Sequence, residues 1–142
     1  MAPSVDNELT TRLRIGVMRL ARRLRHAGSD GDITASQLAA LGTIDKRGPL
    51  TLGELAQCER VQPPSMTKIV GHLAEAGLVT RSPDPSDGRV ALVAVTKAGR
   101  SHLAATRKRR DAWLDEHLSS LSPAEREALA RAADVIERLA DS

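Results

Sequence analysis

Apolar residues recur along this chain in two rhythms, and the change from one to the other marks out its elements. From about Val5 to Ala27, Leu9, Leu13, Val17, Leu20 and Leu24 fall three or four residues apart, which lines them along one face of a helix. Leu38, Leu41 and Ile44 keep that rhythm to about Lys46, behind Thr34-Ala35-Ser36-Gln37, whose ends have capping-box spacing. Gly48-Pro49 interrupts the pattern. Thr51-Leu52-Gly53-Glu54 has the same box spacing and opens a short helix through Leu55, Ala56 and Cys58. After a turn at Glu59-Arg60-Val61, another helix opens on Pro63-Pro64, tolerated there because first-turn N–H groups have no partner to lose. Met66, Ile69, Val70 and Leu73 give it an inward face, and Ser65, Thr67, Lys68, Gly71 and His72 are left outward.

Gly77 suits the left-handed residue that follows a helix, and there the rhythm shortens. Leu78-Val79-Thr80 predicts a strand and Arg89 to Val95 its return, with Asp87-Gly88 between them as the expected hairpin turn. Thr96 then caps a helix through Leu103, Trp113, Leu114 and Leu118. Ser122-Pro123-Ala124-Glu125 opens a last one carrying Leu129, Ala132, Ala133, Val135, Ile136 and Leu139. Two short helices joined by a tight turn, followed by a hairpin, make a winged helix-turn-helix. The expected fold is mainly α with a small β-hairpin wing. The wing unit spans about residues 34–95, and a helical dimerisation platform is expected from about 5–27 and 96–140, because those apolar stripes exceed what the small central unit can cover.

Composition narrows this further. With 142 residues there is enough chain for one core, and a single tryptophan with no phenylalanine or tyrosine makes that core aliphatic. No apolar run approaches a membrane span. The N-terminus lacks a secretory pattern, and Cys58 has no partner for an internal disulfide, so a cytoplasmic location is expected. Net charge is +3, but residues 1–110 hold 18 Lys+Arg against 10 Asp+Glu, whereas residues 111–142 hold 3 against 8. The basic part contains the helix and hairpin, as a phosphate-seeking surface requires. For arginines outside that motif, including six between Arg12 and Arg25, solvated helix faces are the preferred reading.

The run Pro63-Pro64-Ser65-Met66-Thr67-Lys68, and Asp87-Gly88-Arg89 followed after six residues by Thr96-Lys97-Ala98-Gly99, resemble the MarR (multiple antibiotic resistance regulator) family of bacterial transcription factors. The likeness runs the length of the chain in element order. It departs at Val95, where the family has Leu, at Lys68, where Arg is common, at Gln62, where Ser or Thr usually caps, and at Arg60, where a turn glycine is usual. The resemblance implies a homodimer on a pseudo-palindromic operator in double-stranded DNA, usually a repressor and often released by a small phenolic or lipophilic effector. Carried over, Ser65, Thr67, Lys68 and Gln62 would address the major groove, with Pro64 and His72 also among the DNA-binding residues; Arg89 would enter the minor groove, oriented by Asp87. The residue chemistry agrees: hydroxyls and Lys can serve bases or phosphates, and Arg suits a narrow, electronegative minor groove. Solvated surface residues are the alternative for Lys68 and Arg89.

Other chemistry is thinly represented. His26, His72, His102 and His117 lie on separate segments without metal-ligand spacing. Asp84-Pro85-Ser86-Asp87-Gly88 lacks the alternating ligands and closing Glu of a calcium loop, and no nucleophile or phosphate-loop signature is present. An enzyme is therefore disfavoured and no metal or cofactor is expected. A winged-helix module for protein contact is the other alternative, argued against by Lys68 and Arg89, since interface cores exclude charge. Cys58 is expected to be a small buried residue rather than a redox sensor, and Trp113 plain core. An effector pocket, if present, would be aliphatic, with Trp113 its one aromatic candidate; no ligand-binding residues are assigned.

Overall fold

The computed structural model describes residues 6–29 and 31–142. The elements are α1 (Asn7–Gly28), α2 (Ala35–Arg47), β1 (Leu50–Thr51), α3 (Leu52–Glu59), α4 (Pro63–Glu75), β2 (Val79–Asp84), β3 (Asp87–Val95), α5 (Lys97–Ser119) and α6 (Pro123–Ala140). The expected start of the first helix at Val5 lies outside the described residues. Capping explains most boundaries. Thr34 and Ser122 form reciprocal capping boxes with Gln37 and Glu125, each satisfying two otherwise orphaned N–H groups. Thr51 makes only its half of the expected box, accepting from the Glu54 N–H.

The core is aliphatic and contained within residues 40–103. Leu41 and Ile44 of α2, Leu55 of α3, Met66, Val70 and Leu73 of α4, and Val93 of β3 are fully buried. Burying each such side chain is worth about 1.5–3 kcal/mol. This cluster fixes α4 by its inward face and leaves the opposite face free. In contrast, α6 has no buried residue; Leu9, Leu13, Val17, Met18 and Leu20 of α1 are exposed, as are Ile136 and Leu139 of α6, and Leu13, Val17 and Met18 line a shallow groove together with those two.

The sheet is antiparallel in the order β1-β3-β2. Leu50-Thr51 pairs with Val93 and Leu92, a two-residue strand too short to show any periodicity in sequence. The hairpin differs from expectation at its tip. β2 runs on to Asp84, the turn is Pro85-Ser86, and Asp87 and Gly88 already belong to β3. Gly88 is not among the positive-φ glycines, which are Gly31, Gly48 and Gly77. The turn forms earlier because Asp84 Oδ1 accepts from both the N–H and the hydroxyl of Ser86, at 2.9 and 2.8 Å, while Pro85 presets the φ of the first turn position. Those same bonds hold the Asp84 carboxyl below its usual range, the Ser86 backbone contributing most.

Two junctions tie the helices to this unit. At the first, Thr96 N–H donates to the Leu78 carbonyl at 3.0 Å, and its hydroxyl donates to the Gly77 carbonyl at 2.7 Å while accepting from Gly99 N–H at 3.0 Å. The α5 backbone comes so close that a Cβ on Gly99 would lie 2.2 Å from the Leu78 carbonyl oxygen. At the second, Arg109 donates from Nε and Nη2 to the Gly28 carbonyl at 3.1 and 2.8 Å. This satisfies one of the carbonyls left over at the end of α1. Arg110 lies across the same glycine, where a Cβ would stand 2.7 Å from its Nε.

Between α3 and α4, Arg60 adopts φ 53° and ψ 47°. Among the described residues it is the one non-glycine with positive φ, a conformation that costs an L-residue roughly 1–2 kcal/mol. Its N–H closes α3 onto the Ala56 and Gln57 carbonyls.

Gly99→Ala is expected to destabilise the protein by roughly 1–3 kcal/mol or more, since the methyl meets backbone that cannot swing aside. Gly42→Ala, in a helix interior with nothing within 4 Å of the added carbon, should stabilise by up to about 1 kcal/mol. Chemical denaturation of the two variants checks both, and equal midpoints would contradict the Gly99 contact.

Candidate nucleic-acid interface

The outer face of α4 is a short polar and cationic array on a rigidly held helix. Gln62, Pro64, Ser65, Thr67, Lys68 and His72 are all exposed, whereas Met66, Val70 and Leu73 are buried. The two sets alternate as a 3.6-residue repeat demands, so burying one face aims the other. Gln62 provides no side-chain cap, and Pro63 and Pro64 have no N–H to offer, so the helix start carries few donors that need internal partners. Thr67 is partly committed: its hydroxyl donates to the Pro63 carbonyl at 3.1 Å, which leaves its oxygen as an acceptor. Ser65 and Lys68, three residues apart, share one side of the exposed face.

The wing supplies the second feature. Arg89 Nε donates to Asp87 Oδ1 at 3.2 Å, Nη2 approaches Oδ2 at 3.5 Å, and the Arg89 N–H bonds Oδ1 at 3.1 Å. The two side chains are neighbours on one strand, so β3 brings them together and the turn at Pro85-Ser86 places them beside the tip. The Arg89 side chain nevertheless remains 91% exposed. Its guanidinium, followed by its backbone N–H, holds the Asp87 carboxyl below the usual carboxylate range. In water such a pair adds little stability; what it does is restrict where the arginine points. The structure thus places Asp87 and Arg89 together on the wing, Gln62, Pro64, Ser65, Thr67 and Lys68 on or beside the start of α4, and His72 in its last turn, also exposed.

Three sequence expectations need correction. Cys58 is exposed, not buried; it falls on the outer side of α3, next to the exposed Gln57, while Leu55 and Ala56 face the core. Trp113 is not core. It is half-buried, stacks on His117 with ring centroids 4.0 Å apart, and lies under the Arg23 guanidinium at 5.4 Å, an arrangement an electron-rich ring face favours. The cleft between α1, α2 and α5 is not simply aliphatic either. It encloses about 420 Å³ and is lined by Arg22, Arg25, His26, His102 and Arg110 as well as Ile33, Leu38 and Ala39, without Trp113. Among the described residues, Arg110 Nε is buried with no hydrogen-bond partner. Sequence reasoning assigned no residue to this cleft because its lining comes from three helices whose juxtaposition depends on the Gly28 junction. The spacing of glycine and arginine in separate helices gives no local signal of that contact. No group of three or more metal-binding side chains exists among the described residues, and no helix there is long and apolar enough to cross a membrane.

Comparison with known proteins gives concordant results. A family model described as MarR family matches residues 33–91, which spans α2 to most of β3. An HTH-type transcriptional regulator of Mycobacterium tuberculosis is 43% identical over 136 residues, 96% of this chain and 95% of the relative. Among solved structures, a protein from Pseudomonas aeruginosa assigned as a transcriptional regulator superposes with a TM-score of 0.87 at 33% identity, covering 97% of this chain and 99% of that one. A mutant of the Escherichia coli MarR protein, solved complexed with operator DNA, matches with a TM-score of 0.64 at 25% identity, covering 92% and 94%. These relatives are regulators rather than enzymes.

The exposure of Cys58 has a direct chemical consequence. Native protein should react completely with a disulfide thiol reagent at a rate close to that of a free cysteine, since thiol reactivity follows access and thiolate fraction. A reaction that proceeds only after denaturation would return Cys58 to the interior.

Proposed function

The chain belongs to the MarR family of DNA-binding transcriptional regulators, and on that premise we propose that it is a repressor acting as a homodimer on a pseudo-palindromic operator. The observation that carries this reading is the pairing of an outward α4 face with an arginine wing on one rigid unit. In it, α4 enters the major groove, with Gln62, Pro64, Ser65, Thr67, Lys68 and His72 at or near base edges and phosphates. Arg89 reaches the adjacent minor groove, where the negative potential is deepest. Asp87 limits the freedom that Arg89 would otherwise lose on binding. Occupying promoter DNA suffices for repression and requires no chemistry from the protein.

The dimer is supported by the uncovered apolar surfaces of α1 and α6. An extended patch of this kind is rare on a monomer, and a second copy offers the same patch to it about a two-fold axis. Residues of α1, α5 and α6 form the dimerisation platform, and about 34–95 the DNA-binding lobe. Two α4 helices then address half-sites one helical turn apart, roughly 10 bp centre to centre. The effector cleft is the space between α1, α2 and α5. Its arginines and the unsatisfied Arg110 Nε favour a small lipophilic molecule that carries an acidic group, phenolic or carboxylic, over a purely apolar one.

Sedimentation equilibrium at micromolar concentration should give a dimer; a well-folded monomer would overturn that part of the reading. Lys68→Ala should cost roughly 1–3 kcal/mol of operator binding and change the ranking of operator variants, as loss of a base contact does. Arg89→Ala should weaken operator and random DNA alike and make the salt dependence shallower by about 0.9 for each chain bound. Salt titrations of both DNAs separate the two. An Arg89→Ala protein with wild-type affinity and slope on both would remove the wing from the interface.

A further inference from the structure

We infer that Arg60 is a DNA-phosphate contact, held at the rim of the groove that α4 enters. The inference rests on the reading that α4 lies in the major groove, and it adds a residue to the six on or capping α4 and the two on the wing. It begins from a mismatch between conformation and residue type. The turn between α3 and α4 holds its residue 60 in the left-handed region, and the N–H groups of Arg60 and Val61 close it onto α3. Arg60 N–H bonds the Gln57 carbonyl at 3.2 Å, and Val61 N–H bonds the Ala56 carbonyl at 3.0 Å. Glycine would satisfy every one of these bonds without steric conflict. Arginine makes the same backbone bonds and adds strain, so what distinguishes it lies in the side chain.

That side chain has no work inside the protein. Arg60 is exposed, and among the described residues no hydrogen bond or ion pair engages its guanidinium. No ion pair joins it to the neighbouring Glu59, whose carboxylate instead accepts a hydrogen bond from the Thr43 hydroxyl of α2. A permanently charged group, with five donors matched to phosphate oxygens, is thus held free by a backbone pinned through the α3 cap. Strain concentrated on a residue with no internal partner is the pattern expected of a functional position.

Its location selects phosphate over base. Arg60 precedes Pro63 by three residues, so its Cα lies at most about 10 Å from the start of α4. The major groove is roughly 12 Å wide. With α4 filling the groove, an exposed arginine this close to its first turn, yet outside the helix, is within side-chain reach of the sugar-phosphate wall rather than of the groove floor. Contacts there set register and affinity but carry no sequence information.

The inference yields a pair of opposite effects that a merely structural arginine would not produce. Arg60→Gly should raise Tm by about 2–4 °C, from relief of the positive φ. The same variant should bind DNA more weakly, by roughly five- to tenfold per chain at 0.1 M salt, with a salt slope shallower by about 0.9 per chain. Operator and random duplex should be affected equally. Arg60→Lys, which keeps both the charge and the strain, should restore most of the affinity and the slope at an unchanged Tm. Fluorescence anisotropy with labelled operator and random duplexes across a salt series, alongside thermal unfolding, reads all of this. Arg60→Gly with wild-type affinity and slope would overturn the inference, as would a changed preference between the two DNAs, which would mean a base contact. If instead α4 is not the element in the groove, Lys68→Ala leaves operator preference untouched in the same assay, which tells that failure apart.

Discussion

The approach of α5 to the Leu78 carbonyl is the constraint from which the DNA-facing geometry follows. Only a residue without a side chain allows that approach, and Gly99 supplies it. Thr96 completes the seam by donating to the Gly77 and Leu78 carbonyls on one side and accepting from Gly99 on the other. Three elements therefore meet within a few residues: the end of α4, the base of the hairpin, and the start of α5. Because the contacts are made by backbone groups and one short hydroxyl bonded on both sides, the angle between α4 and the wing is held with little side-chain freedom. A regulator that must present a helix and a hairpin tip to neighbouring grooves needs that angle to be stiff.

Much of this was legible in the sequence, and for a uniform reason. α2, α3, α5 and α6 announce themselves through caps three residues from their partners, and α4 through its prolines and its apolar stripe. Such signals are local, and they survive without knowledge of the fold. The exposed face of α4 was readable for the same reason, since the burial of Met66, Val70 and Leu73 decides where Ser65 and Lys68 point.

What escaped was everything set by distant residues or by competition between neighbours. The hairpin tip moved from Asp87-Gly88 to Pro85-Ser86 because Asp84 and Ser86 made a turn of their own, and the strongest turn dipeptide was absorbed into β3. β1 is too short to have a period. Cys58 was read inward on the grounds that small apolar side chains usually are, while on a helix of eight residues a shift of one position reverses that answer. The clamp of Arg109 on Gly28 joins residues 81 apart in sequence, and the lining of the α1–α2–α5 cleft depends on it. The arginines of the first helix are exposed, as the reading of a solvated face expects; what no local signal announces is that Arg22 and Arg25 also border that cleft and that Arg23 covers Trp113.

Trp113 has a further consequence, which is optical. The chain contains no tyrosine or phenylalanine, so its near-ultraviolet absorbance and its emission come from one indole. That indole sits where α1 lies along α5, beneath Arg23 of one helix and against His117 of the other. Its emission is consequently a local signal rather than an average over the molecule. A change in how α1 rests on α5 alters the cation above the ring or the imidazole beside it, while a rearrangement confined to the hairpin leaves both in place. The protein thus carries a native, single-site reporter of its helical half, free of background from any other aromatic residue.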